Sequence, residues 1–407
     1  MKVLMSAFAC SPIRGSEPGV GWNWAREMAE SNEVWVVTRG SNKSEIEENL
    51  NGENIKFIYI SIPGIAWVER HTHRKIIHLY YSLWQRYILR QLRRLHKKEC
   101  FDVVHHVTYN EFRNPGYLWK LGAPFILGPI GGSQEIESEL MSYCEGLRNE
   151  KLEKIRSFLN HRSKKSNYLS QSIENAAKII VANKDTARFL ELPKNRYEIL
   201  LETGVKEENC NYIVRNEKNK IRILWVGNLI YRKGFRLLID AFSKVKNKEK
   251  YEIVVIGEGI LKSKYINLVQ MAGISKYFSF KGNLSYNDTL IQYQDADIFL
   301  FTSLRDTSGN VVLEAMSNCL PIIALNHHGA ADMLNEKCAV KIDINSKEQV
   351  INDLAQSIEL LGDDYERRIE MGMNSFKRIQ EEYLWENKGI RMQQIYKGST
   401  EKLINEE

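Results

Sequence analysis

Residues 302–321, TSLRDTSGNVVLEAMSNCLP, decide the fold. They continue an apolar run at 298–302 that reads as a buried strand, break into a polar Ser/Gly loop, and enter a helix near Asn310. An open α/β sheet binds its ligand at the carboxyl ends of its strands. A helix N-terminus adds unpaired N–H groups and partial positive charge, which suit a diphosphate. Ser308, Gly309, Asn310 and Val311 are therefore candidates to cradle phosphate. Asp306 precedes the loop and Glu314 follows on the helix; carboxylates accept hydrogen bonds from sugar and ribose hydroxyls. The plainer alternative, a turn aspartate and a helix-dipole glutamate, stays open on these residues alone.

Working outward, the same alternation of short apolar runs and helical stretches fills both halves of the chain. In the second half, 221–226, 251–256, 278–280 and 321–324 read as strands and 237–245 as a helix. In the first half, 2–9 reads as a strand that opens into a Gly/Pro loop at 11–21, with a helix over 22–31 and strands at 34–38, 56–61, 103–107 and 125–128. Alternation of this kind predicts parallel sheets covered by helices. The 407 residues exceed the usual size of one core. We expect a first domain at 1–205, a charged linker at 206–220, a second domain at 221–385, and a helical segment at 386–407 that could return to the first.

Composition excludes several classes. No uninterrupted apolar run reaches membrane-spanning length, and the N-terminus reads as a first strand rather than a signal peptide. Six scattered cysteines without a C-x-x-C pair suggest neither a zinc site nor a disulfide framework and fit a reducing cytoplasm. A net charge of +6 is too mild to argue for nucleic acid. The excess is local: Arg70, Arg74, Lys75, Arg86, Arg90, Arg93, Arg94, Lys97 and Lys98 share 70–98 with no acid. Ile76, Tyr80, Leu83, Trp84, Tyr87, Ile88, Leu92 and Leu95 recur there at helical period. Residues 71–98 are either an interfacial helix on an anionic membrane or a domain helix packed on its sheet.

Strand, Ser, acid, Gly loop, then acid-Ala-Met and Leu-Pro resembles the donor-site signature of the retaining GT-B glycosyltransferases of family 4, the glycosyl transferases group 1. Members carry Glu, seven residues, Glu; here Asp306 and Glu314 keep the spacing with a shorter first carboxylate. The resemblance implies two Rossmann-like domains facing across a cleft. It implies contacts from Asp306 to the donor sugar and from Glu314 to the ribose. Gly227 opens GNLIYRKG, whose Arg232 and Lys233 match a family cation pair suited to stabilising a departing diphosphate. Gly257, Glu258, Gly282, Asn283 and Leu284 resemble ligand-facing loops of the donor domain.

In the first domain, GSEPGVGWNW at 15–24 fails the dinucleotide spacing but resembles the family loop beneath the donor phosphates, which makes Gly19 and Gly21 candidates. DVVHHVT at 102–108 ends a strand in His105 and His106, where the family shows His, one residue, His. His106 is favoured as the group that orients or deprotonates an acceptor hydroxyl. Gly131 and Gly132 resemble acceptor-side residues. Asp295-Ala-Asp297 has the form of a metal-holding D-x-D, but it lies at the entry end of its strand, opposite the phosphate loop; no metal and no cofactor are expected. The resemblance thus implies transfer of a hexose-type sugar from a UDP- or GDP-sugar to a glycan or lipid-linked acceptor of cell-surface polysaccharide such as O-antigen, capsule or exopolysaccharide. The expected location is cytoplasmic, on the inner face of the cell membrane if 71–98 meets lipid. The alternatives are a GT-B-like epimerase or hydrolase, and an inactive nucleotide-binding scaffold.

Overall fold

The computed structural model describes residues 1–50, 52, 54–69 and 74–404. Arg70 and the start of the 71–98 segment lie outside the described residues. The chain divides into two units: residues 1–133, 159–203 and 385–407 form the first, and 134–158 with 204–384 the second. In chain order the first half supplies β1 (Lys2–Ala7), α1 (Ser16–Ala29), β2 (Glu33–Arg39), α2 (Lys43–Glu47), β3 (Ile55–Ile60), α3 (Arg74–Glu99), β4 (Val103–Thr108), β5 (Phe125–Ile130), α4 (Leu147–Lys164), α5 (Asn167–Glu174), β6 (Ala176–Val181), α6 (Lys184–Phe189) and β7 (Tyr197–Ile199). The second half supplies β8 (Ile221–Val226), α7 (Phe235–Lys244), β9 (Tyr251–Ile256), α8 (Lys262–Met271), β10 (Phe278–Gly282), α9 (Tyr286–Asp295), β11 (Ile298–Phe301), α10 (Asn310–Ser317), β12 (Ile322–Leu325), α11 (His328–Met333), β13 (Ala339–Ile342), α12 (Lys347–Asp363), α13 (Tyr365–Arg378) and α14 (Trp385–Ile404).

Each unit holds one parallel sheet. The first runs β3-β2-β1-β4-β5-β6-β7 and the second β10-β9-β8-β11-β12-β13. Both orders reverse direction beside their first strand, between β1 and β4 and between β8 and β11, which is where a doubly wound sheet opens a crevice for ligand. Most strand residues are apolar and buried, because helices cover both faces of each sheet.

Residues 134–158, expected in the first domain, fall in the second unit, where Ile136, Leu140, Tyr143 and Cys144 join the core and the Tyr143 hydroxyl donates to Asp240 at 2.8 Å. The segment read as a linker is tied down as well. Buried Arg215 donates to the carbonyls of Ala296, Cys319, Tyr293 and Asn318, so its charge is spread over four acceptors. The last helix, α14, packs in the first unit's core through Trp385, Met392, Ile395 and Tyr396.

Helix α1 starts at Ser16, earlier than the glycines suggested. Pro18 sits in the first turn, where a missing N–H costs nothing. A Cβ on Gly21 would stand 2.1 Å from the Ala9 carbonyl oxygen, so this glycine lets the helix lie against its own strand. Gly19 and Gly21 are thus helix residues in close packing with residues 9–14, not an open phosphate loop.

Helix α3 has two different sides. Ile77, Tyr80, Tyr81, Trp84, Ile88 and Leu92 are buried in the first unit's core, as an ordinary sheet-covering helix requires. Ile76, Leu79, Leu83 and Tyr87 face outward with Arg86, Arg90 and Arg94. Among the described residues no helix is long and apolar enough to cross a membrane.

Candidate active site

In the second unit the two motifs that the sequence brings into view separately are stitched together at the β8/β11 switch point. After β8 the chain makes a short turn at Tyr231–Lys233 that ends on Gly234 at φ 66°. A Cβ at Gly234 would lie 1.9 Å from the Thr302 carbonyl oxygen, which fixes glycine there on steric and conformational grounds. The Leu304 N–H donates to the Arg232 carbonyl at 2.9 Å, and the Thr302 hydroxyl donates to the Lys233 carbonyl at 3.3 Å. These bonds bring the Arg232 and Lys233 side chains to Asp306. Lys233 donates to one Asp306 oxygen, and Arg232 Nη1 lies 3.8 Å from the other. Burial alone would raise the Asp306 pKa, but the Lys233 ammonium and the Arg232 guanidinium outweigh it and hold the carboxyl below its ordinary value.

Beyond Asp306, Gly309 takes φ 92° and α10 begins at Asn310. The N-terminal amides of α10 therefore follow directly on the charged turn. Glu314 lies in the second turn of α10, and it accepts a 2.8 Å hydrogen bond from the buried Tyr293 hydroxyl. Burial pushes its pKa up, against the pull of that bond.

The neighbouring loops close around the same strand ends. Gly257, at φ 132°, would place a Cβ 2.0 Å from the Gly227 carbonyl, and its N–H donates to the Gly282 carbonyl at 2.8 Å. Glu258 pairs with Lys262, and its carbonyl accepts from the Leu229 N–H at 2.8 Å. Asn283 is exposed and Leu284 partly so, next along the chain from Gly282. At the other end of the sheet Asp297 accepts from the Arg222 N–H at 2.8 Å and from Lys218 at 3.1 Å, while Asp295 meets Arg222 at 3.3 Å. The D-x-D pair is thus engaged in anchoring the start of β11.

One residue of this site has no signal in any motif. Glu153 on α4 is buried and accepts from the Tyr231 hydroxyl at 2.8 Å and from Arg305 at 3.1 Å. It braces the turn that carries Arg232 and the residue before Asp306.

The first unit builds a different constellation at its own switch point, β1/β4. Glu17 in the first turn of α1 accepts from the Asn110 N–H at 2.6 Å. Burial, with the nearby Glu202 and Glu111, pushes its pKa up to about 7 against that hydrogen bond and His78. Beside it Glu111 meets His78 at 3.4 Å, Arg113 at 3.2 Å and Asn114 at 2.6 Å. Burial works against its charge, yet these partners hold its pKa at about 2. Gly131 donates to the Asn110 carbonyl at 2.6 Å, and Gly132 follows at φ 90°, so both glycines adjoin this group.

The two histidines do not face an opening. His105 and His106 are fully buried on β4. His105 bonds the Tyr396 hydroxyl at 2.6 Å and the Gly128 carbonyl at 2.5 Å, and burial drives its pKa down to about 3. His106 lies 3.3 Å from the Tyr81 hydroxyl, with its pKa lowered by burial to about 4. The strand's apolar lining, not its end, sets their surroundings.

Residues 208–378 match the family described as "Glycosyl transferases group 1". An uncharacterized glycosyltransferase of Methanocaldococcus jannaschii is 22% identical over 91% of this chain and 90% of its own length. The alpha-monoglucosyldiacylglycerol synthase of Streptococcus pneumoniae is 24% identical over a shorter stretch, 33% of this chain and 31% of its own. Among solved structures, a sucrose-phosphate synthase from Thermosynechococcus elongatus superposes with a TM-score of 0.70 at 15% identity, covering 98% of both chains. Anabaena HepE in complex with UDP superposes with a TM-score of 0.65 at 13% identity, over 98% of this chain and 100% of that one. These likenesses establish the fold as GT-B, two Rossmann-like α/β units.

Proposed function

We propose, from the match of residues 208–378 to glycosyl transferases group 1, that this chain is a retaining, metal-independent hexosyltransferase. Its donor is a UDP- or GDP-sugar and its acceptor a glycan or a lipid-linked sugar in the assembly of cell-surface polysaccharide or glycolipid. The observation that carries the reading is the meeting of Arg232, Lys233 and Asp306 at the carboxyl ends of β8 and β11, ahead of the α10 amides.

The chemistry follows from those charges. When the bond from the anomeric carbon to the diphosphate breaks, negative charge grows on the leaving oxygens. Arg232, Lys233 and the α10 N–H groups are fixed cations and dipoles that meet it without reorganising. A pair of side-chain cations supplies what a divalent ion would supply elsewhere. The acceptor hydroxyl attacks from the face the diphosphate leaves, the new carbon–oxygen bond forms, and the hydroxyl proton passes to a departing phosphate oxygen. Asp306, released from Lys233 as the donor enters, accepts from sugar hydroxyls, and Glu314 accepts from the ribose.

On the first unit the reading assigns acceptor contacts to Glu17, Glu111, Gly131 and Gly132. The buried His105 and His106 bond the Gly128 and Tyr109 carbonyls, close along the chain to these residues. The outward stripe of α3, with Arg86, Arg90 and Arg94 beside Leu83 and Tyr87, is proposed to rest on an anionic membrane at the inner face of the cell membrane.

A thermal-shift screen of UDP-, GDP- and ADP-sugars, with and without EDTA, tests this. One nucleotide sugar should raise Tm with the chelator present, since a ligand that binds only the folded state stabilises it. The product of that donor should keep the anomeric configuration of the sugar. Stabilisation that EDTA abolishes, or an inverted product, refutes the mechanism.

A further inference from the structure

Helix α4 presents a surface that none of these roles uses. Over its 18 residues, roughly 27 Å at 1.5 Å per residue, the inner side carries the buried Glu153 and Asn160. The outer side carries Leu152, Ile155, Phe158 and Leu159, exposed to 47%, 54%, 64% and 44%. Their spacing places all four on one helical face. Water-facing side chains this large are not scattered here; they form one contiguous stripe. Arg148, Lys151, Lys154 and Arg162 are exposed among and beside them, and none has an acidic partner among the described residues. The helix's only acids lie elsewhere: Glu153 is buried, and Glu150 falls on the far flank by the helical period.

We infer that the outer face of α4 docks on an anionic phospholipid surface. Phe and Leu side chains set among Lys and Arg can bury their apolar parts at the headgroup boundary while the long cationic stems reach the phosphates. A second copy of the chain fits poorly, because a two-fold contact would appose the same four cations. An acidic surface is required, and a lipid layer supplies apolar depth with it. The inference rests on the membrane-side reading of the proposed function, and it adds to the α3 stripe a contact on a separate helix.

The test is co-sedimentation of the full chain with vesicles of phosphatidylcholine alone and of phosphatidylcholine with phosphatidylglycerol. Three variants are compared: Ile155→Asp with Phe158→Asp, Lys151→Glu with Arg162→Glu, and Arg86→Glu with Arg90→Glu and Arg94→Glu. Tm and circular dichroism check folding, and the charge variant keeps the test alive if the apolar one does not fold. Wild type should sediment with the anionic vesicles only. Each α4 variant should lower partitioning at least about tenfold, since each cation near such a surface contributes roughly a fivefold factor. Absence of sedimentation by wild type overturns the inference. So does loss confined to the α3 variant, which would leave the α3 reading standing. A change in oligomeric state by light scattering, with vesicle binding unaltered, would make the face a protein contact instead.

Discussion

The two units repeat one topology and fill it with opposite chemistry. At the β8/β11 switch point the second unit sets Arg232 and Lys233 against Asp306, with the α10 amides following. At the corresponding β1/β4 point the first unit sets Glu17 and Glu111 beside Asn110. An anion with a leaving diphosphate needs fixed positive charge; a hydroxyl-rich acceptor needs hydrogen-bond acceptors. The sheet order sets where each cluster sits, and the few side chains after each strand set its charge.

The largest effect that would break this contrast is expected at Lys233. Lys233→Ala should cut kcat/KM for the donor by about 10²–10³ with folding intact by circular dichroism, the scale for losing one fixed charge stabiliser. Unchanged turnover would remove the donor role from the second unit. On the other side, Glu111→Gln should lower kcat/KM for the acceptor by roughly tenfold or more while leaving nucleotide-sugar affinity unaltered, the worth of a charge-assisted hydrogen bond. A matching loss of donor affinity would erase the division between units.

Acid stability tests the buried histidines of the first unit. His105 and His106 are neutral in the fold, with pKa values lowered to about 3 and about 4. Between those values and the ordinary 6.5, the unfolded chain binds protons that the folded chain refuses. Stability should therefore fall as pH drops from 6.5 toward 4, by about 1.4 kcal/mol per pH unit for each histidine. Urea titrations followed through this range, compared with His105→Phe, should show a shallower slope in the variant. A slope unchanged by that substitution would mean that His105 titrates normally.

The smallest effect concerns the brace. Glu153→Ala should raise the donor KM by roughly tenfold through loss of two hydrogen bonds to Tyr231 and Arg305, and Glu153→Gln should restore most of it. Equal KM values in all three proteins would leave Glu153 a purely structural residue.

Much of the fold was legible. Strands 221–226 and 251–256 match β8 and β9 residue for residue, because each is an apolar run interrupted only by Arg222 or Glu252 and closed by a glycine. Three strands gave no signal. β7 has three residues, β13 carries Lys341 within four, and both lie at sheet edges; β6 follows α5 after the single residue Asn175. The glycines of α1 misled because close packing and open loops call for the same residue. For the site, Arg232, Lys233 and Asp306 stood out through the family signature they match, since their residue types alone left a plain turn open. Glu153 and Glu17 did not, since their roles arise from contacts with residues far away in sequence. The histidines show the converse: their strand was plain, but periodicity within a wholly buried strand says nothing about which side chains face a ligand.

The most direct measurement is calorimetric titration of the nucleotide sugar selected by the thermal screen into wild type, Lys233→Ala and Glu111→Gln. The account predicts binding by wild type and Glu111→Gln with the same affinity, and its loss in Lys233→Ala. Undiminished binding by Lys233→Ala, or loss in Glu111→Gln alone, would contradict it.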